Sequence, residues 1–168
     1  MRPRSLALTM LLAALSVQAQ LVPTDPQWQE TEAPPPPAVK LAGLIALDIP
    51  GSSLRFGVAP ASVSVGRDGV VRYVVISSSS SGVVNAMYEG VRCSTGEFRI
   101  YARHDPQIGW KPVKDSSWRS LQDQPAARHS LIIARGGACN GRGVNGPATQ
   151  IVRDLSAPVG RRSSEVGR

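Results

Sequence analysis

The run Val70-Val71-Arg72-Tyr73-Val74-Val75-Ile76 constrains the fold more than any other stretch of the chain. It is β-branched or aromatic at nearly every position, and it is apolar at both odd and even positions. A strand of that kind cannot leave one face in water, so it reads as a central strand covered on both sides. Asp68-Gly69 precedes it and separates it from Val63–Gly66, as a tight hairpin requires, because glycine tolerates the positive φ of such turns. Upstream, Leu54, Phe56 and Val58 alternate with Arg55 and Gly57. Downstream, Ser77–Gly82 makes a turn, and Val83–Cys93 is long and β-compatible. Ser94-Thr95-Gly96 turns again. Phe98, Ile100 and Ala102 then alternate with Arg99, Tyr101 and Arg103. The pattern predicts an antiparallel meander of about four strands. Leu41–Ile49 fits either a strand or a short apolar turn.

The N-terminus supplies the cellular context. Arg2 and Arg4 precede an apolar run from Leu6 to Val17, and Val17-Gln18-Ala19 places small residues three and one positions before a cut. This is the pattern of a secretory signal peptide, shorter than the ~20 residues of a membrane helix. Cleavage is expected after Ala19, with residues 1–19 removed and the mature protein periplasmic or secreted. No cysteine stands at the cleavage site to take a lipid anchor, and no second apolar stretch suggests a transmembrane span. In an oxidising compartment Cys93 and Cys139, the only cysteines, can form one internal disulfide. Two free thiols or a bond to another chain are the alternatives. No C-x-x-C motif supports a redox function.

The formal charge of +7 is partly a property of the ends. Arg2 and Arg4 leave with the signal peptide, and Arg153, Arg161, Arg162 and Arg168 outnumber Asp154 and Glu165 in the tail. Residues 20–40 read as a Pro-rich extended leader, since Pro23, Pro26 and Pro34–Pro37 forbid regular helix. Trp28 within it is either an anchor onto the domain or an exposed contact for a partner. Residues 41–140 form the expected domain. Its last element is a short helix near Ala126–Arg135, which Gly136-Gly137 ends just before Cys139. Residues 141–168, rich in Gly, Pro, Ser and Arg, are expected to be a disordered basic tail.

Catalytic sets are weak. The histidines are His104 and His129, and neither falls in a metal-binding or H-E-x-x-H pattern. His104-Asp105 with a nearby serine could be assembled into a hydrolase triad, but no G-x-S-x-G elbow accompanies it. Glu89 and Asp105 could act as an acid/base pair only if a cleft brought them together. No phosphate loop, metal site or cofactor motif is expected. Tyr73, Tyr88, Tyr101, Trp110 and Trp118 could stack bases, but a seam between sheet and helix is the expected role, and nucleic acid is not an expected partner. Strand alternation puts Tyr88, Gly90 and Arg92 on one face, and Met87, Glu89, Val91 and Cys93 on the other. A buried Glu89 needs a partner, for which Arg72 and Arg99 are the candidates.

The segments Leu54–Val58, Ser62–Gly66, Asp68–Val74 and above all Tyr88-Glu89-Gly90-Val91-Arg92-Cys93 resemble the CNP1-like family of small exported proteobacterial proteins. Tyr101-Ala102, Trp110, Trp118 and Cys139 fit as well, and the likeness spans about Gln27 to Cys139. It departs from the family pattern at Ile133–Ala138, where aromatics would stand. The resemblance implies an exported single domain and brings no activity, ligand or catalytic residue with it. The expected fold is therefore α+β: an antiparallel meander with a short C-terminal helix packed on it and one disulfide. The expected function is a non-enzymatic exported module that binds an envelope component or another protein. A periplasmic hydrolase using His104 and Asp105, and a basic module adhering to anionic surfaces, are the alternatives.

Overall fold

The computed structural model describes residues 25–123 and 127–158. The proposed cleavage after Ala19 lies outside them. In chain order the strands are β1 (Ile45–Leu47), β2 (Arg55–Val58), β3 (Ser64–Val65), β4 (Val70–Ser78), β5 (Val84–Arg92), β6 (Glu97–Asp105), β7 (Gly109–Pro112) and β8 (Arg119–Ser120). Helix α1 (Arg128–Ile133) follows and widens into a π-turn at Ala134–Ala138. Then come β9 (Cys139–Asn140), β10 (Gly143–Val144) and helix α2 (Ala148–Ser156). The main sheet runs β1-β2-β4-β5-β6-β7, every pair antiparallel, with β3 beside β4 and β8 beside β6.

Residues 70–77 of the central strand β4 are all buried, as its two-sided apolar sequence requires. Val71, Tyr73 and Val75 join Met87, Val91, Phe98 and Ile133 in the inner core. Val74 and Ile76 join Ala86, Tyr88 and Ala102 on the outer face. The helical segment and α2 cover the inner face, whereas Ala33 and Val39 of the leader pack on the outer one.

Residues 143–156 correct part of the expected disordered tail of residues 141–168, of which 159–168 lie outside the described residues. Ile151 and Leu155, four apart on α2, are 0% and 1% exposed in the inner core. Burying two such side chains contributes about 1.5–3 kcal/mol each, enough to hold a short helix onto the domain. Gly137 is the seat of this docking. A Cβ there would lie 3.0 Å from both the Ile151 carbonyl oxygen and the Leu155 amide nitrogen.

Cys93, just past β5, is bonded to Cys139 at the start of β9, with Cα atoms 5.6 Å apart across a separation of 46 residues. The bond ties the helical layer to the sheet, as expected, while the local hairpins close by themselves. Closing a loop of that length stabilises a fold mainly by restricting the unfolded chain. Cys93→Ser and Cys139→Ser should each lower stability in urea by about 2–5 kcal/mol. The double variant should be no worse than the worse single one, because both delete the same bond.

Candidate functional site

The two faces of the sheet carry different polar clusters. On the inner face, Glu89 is fully buried. Its Oε1 lies 2.8 Å from His129 Nε2 on α1, and its Oε2 accepts from Ser130 Oγ at 3.0 Å and Tyr73 OH at 3.3 Å. Burial, and then the charge of Glu89, push the Tyr73 phenol well above its ordinary range, so it remains a proton donor. Phe56 stacks on the His129 ring at 5.4 Å. Glu89 is thus inward and paired, but neither Arg72 nor Arg99 is its partner. Directly opposed residues of an antiparallel pair share a face. Tyr73 stands opposite Glu89, whereas Arg72 and Arg99 both stand opposite Gly90 on the other face.

Those arginines organise the outer cluster around the leader. Glu30 Oε2 accepts from Arg99 Nη1 at 2.6 Å and from Trp118 Nε1 at 3.1 Å, and its Oε1 accepts from Tyr101 OH at 2.6 Å. Arg72 Nη2 stands 3.5 Å from the same carboxylate and donates to the Thr31 carbonyl at 3.2 Å. Arg72 also grips Asp68, Nη2 to Oδ2 at 2.7 Å, with both side chains almost wholly buried. Asp68 in turn accepts from the amide and hydroxyl of Thr31 at 3.0 and 2.9 Å. Trp28 settles its alternatives as an anchor. Its indole donates to the Asp68 carbonyl at 2.8 Å, meets Trp118 edge-on, and lies under the Arg92 guanidinium at 3.6 Å.

Two local departures from regular strand build this cluster. A bulge shifts the β5–β6 register, so Tyr88 pairs with Ala102 but Glu89 pairs with Ile100. The unpaired Tyr101 and its neighbour Ala102 therefore both pack with the outer cluster, where alternation alone sends Ala102 inward. Bulges re-aim side chains in this way. Gly90 makes room for the result: a Cβ there would sit 2.8 Å from the Tyr101 ring and hydroxyl. Burial, and next the hydrogen bond to Glu30, push the Tyr101 phenol above its ordinary range and keep its proton in place for the carboxylate.

Beyond Glu30 the leader crosses an aromatic groove. Tyr88 lies 5.4 Å from Tyr101 and 6.5 Å from Trp110, and Trp110 Nε1 donates to the Pro37 carbonyl at 2.9 Å. Tyr88, Tyr101, Trp110 and Trp118 are therefore a seam between sheet and leader. The expected seam between sheet and helix holds only for Tyr73.

His104 and Asp105 lie at the β6–β7 hairpin. His104 packs edge-on against Trp110 at 5.2 Å. Asp105 accepts from Lys111 Nζ at 2.7 Å and from the amides of Gln107 and Ile108. Lys111 first, and then the Gln107 amide, hold its carboxyl below the ordinary range. Its partners are those of a turn-forming carboxylate. Glu89 is on the inner face, bonded to His129, Ser130 and Tyr73 and not to Asp105. Among the described residues no group of three or more His, Cys, Asp or Glu could hold a metal ion, and no helix is long and apolar enough to cross a membrane. Glu30, the centre of the outer cluster, is absent from the sequence reading. Its signal is one of two acids, Glu30 and Glu32, between Trp28 and the proline run.

The fold and its clusters define a class: a disulfide-stapled α+β domain with one sheet face under helices and the other under its own N-terminal segment. Over residues 23–156 the chain matches the model of the CNP1-like family, and it belongs to that family. The match includes α2 and so extends past Cys139. Comparison with curated proteins and with solved structures finds no match.

Both clusters make measurable demands. Glu89→Ala should cost about 3–5 kcal/mol in urea unfolding, because it strands His129, Ser130 and Tyr73. Combining it with His129→Ala should cost clearly less than the sum of the two single changes. Asp68 is held at about 2, below its ordinary 3.8. Burial pushes it up, but hydrogen bonds from Arg72, the Val70 amide and Thr31 outweigh that. A carboxyl lowered on folding stabilises the fold above its unfolded pKa, and that stability fades as pH falls through the folded value. Trp fluorescence should therefore report release of the leader between about pH 4 and pH 2. Asp68→Asn should remove that transition.

Proposed function

We propose that this chain is a non-enzymatic, exported binding module of the bacterial envelope, working in the periplasm, and that the outer face of its sheet is the recognition surface. Export is supported by the apolar run Leu6–Val17 with Val17-Gln18-Ala19 behind it, and by a disulfide of the sort that persists in oxidising compartments. The observation that carries the binding role is the capture of Glu30. Arg99, Tyr101 and Trp118, from two separate parts of the chain, converge on one carboxylate of an extended segment. The grip is by side chains rather than by strand pairing, so it reads the chemistry of what lies on it. Convergent donors beside aromatic rings are how recognition surfaces combine orientation with affinity.

The test is affinity recovery from an envelope extract with the immobilised mature chain. A discrete set of proteins should be recovered by the wild type and by Arg153→Ala on α2. Recovery should fall at least fivefold with Trp110→Ala or Arg99→Ala. Equal recovery by all four would remove the outer face from the function, and recovery of nothing above a blank resin would remove the binding role. The protein isolated from the periplasm should begin at Gln20 by mass.

A further inference from the structure

We propose that the groove of Tyr88, Tyr101 and Trp110, with its Arg99 anchor, is a docking site for a proline-rich segment of another protein. That segment would be in the polyproline II form and carry a carboxylate four residues before its first proline; the leader is its tethered occupant in cis. The proposal rests on the outer-face reading above and names the ligand of that face.

The leader shows what the groove selects. Glu30, Ala33, Pro36 and Val39 are partly covered, while the residues between them are exposed. That period of three is the repeat of polyproline II, which presents the same edge at every third residue. Pro34–Pro37 enforce this backbone, and its carbonyls have no partner within the helix. Trp110 supplies the missing donor to Pro37. An aromatic-lined groove with an indole donor is the general solution for capturing such a segment, because the ligand is already ordered and loses little entropy on docking. Arg99, Tyr101 and Trp118 then fix direction and register through the acid.

The leader does not fill the site. A depression of about 230 Å³ remains where Pro34–Pro36 lie against Tyr88, Tyr101, Trp110 and Pro112. A segment with larger residues between its prolines would occupy space that the leader leaves empty. Release of the leader also leaves the sheet intact. Lys40, Leu41, Ala42 and Gly43 are exposed, and the first sheet pairing begins beyond them at Ile45. A tether this short holds the leader at an effective concentration in the millimolar range. With a leader of ~100 μM intrinsic affinity, an outside segment would then bind the strapped chain about tenfold more weakly than the open one.

The mature chain carrying a protease site between Lys40 and Leu41 tests this, because it folds with the strap in place and is cut afterwards. Once the freed leader is removed, the probe is a labelled peptide of unrelated sequence with Glu four residues before four prolines. It should bind the cut chain saturably, about tenfold tighter than the uncut chain. Changing the peptide's Glu to Gln, or Trp110→Ala in the domain, should each lose at least tenfold. A peptide of Gln27–Lys40 is the positive control. Binding of that control alone would overturn the proposal, since the groove would then be particular to its own leader. Binding of neither peptide, with circular dichroism and the disulfide intact, would overturn it as well. So would unfolding of the cut chain, which would make the strap a structural element. An uncut chain of twice the monomer mass, lost with Trp110→Ala, would assign the groove to a second copy. If the probe fails but envelope recovery still depends on Trp110, the ligand class falls and the recognition surface stands.

Discussion

Everything in this fold follows from a strand that must be dry on both sides. Residues 70–77 of β4 are all buried, so the sheet needs two covers. Helices supply one. They are short, and α1 and α2 could not persist alone in water, so the layer depends on Ile133, Ile151 and Leu155 in the inner core and on the Cys93–Cys139 bond. The other cover is an extended segment that is neither helix nor strand. Its stability comes from where its few gripping side chains land.

The two covers are fastened by opposite electrostatic strategies. Under the helices, one carboxylate, Glu89, is fully enclosed and held by neutral donors and an imidazole. Under the leader, two carboxylates and two guanidiniums interlock, Asp68 and Glu30 with Arg72 and Arg99. The pleat separates these systems, since Arg72 and Tyr73 are adjacent in sequence and point apart. The inner network makes the helical layer costly to lift. The outer one, partly exposed at Glu30 and Arg99, is the more open to exchange.

Alternation made the outer strands legible, along with the inward face of Glu89, and its absence along Val70–Ile76 made the double coverage of β4 legible. It did not reveal the partner of Glu89, because that depends on cross-strand register, and a shift of one residue exchanges Tyr73 for Arg72. It misplaced Ala102 because a bulge interrupts the period at Tyr101. Helix α2 was hidden by composition: its two core residues sit among Arg, Asp, Gln and Gly-Pro punctuation that reads as tail. The leader was recognised as extended, and its contacts were not. Period three is a property of a docked polyproline segment, and only the groove beneath it shows which third of the residues is covered.

The span between Glu30 and its captors also fixes a timetable. Trp118 lies 88 residues further along the chain than the carboxylate it grips. Synthesis proceeds from the N-terminus, so the leader is made long before Tyr101, Trp110 and Trp118 exist to receive it. Contacts so distant in sequence form late, because a long loop must close before any of them contributes. Sequence separation therefore predicts that the leader, made first, settles last, with the aromatic face of the sheet uncovered until it does.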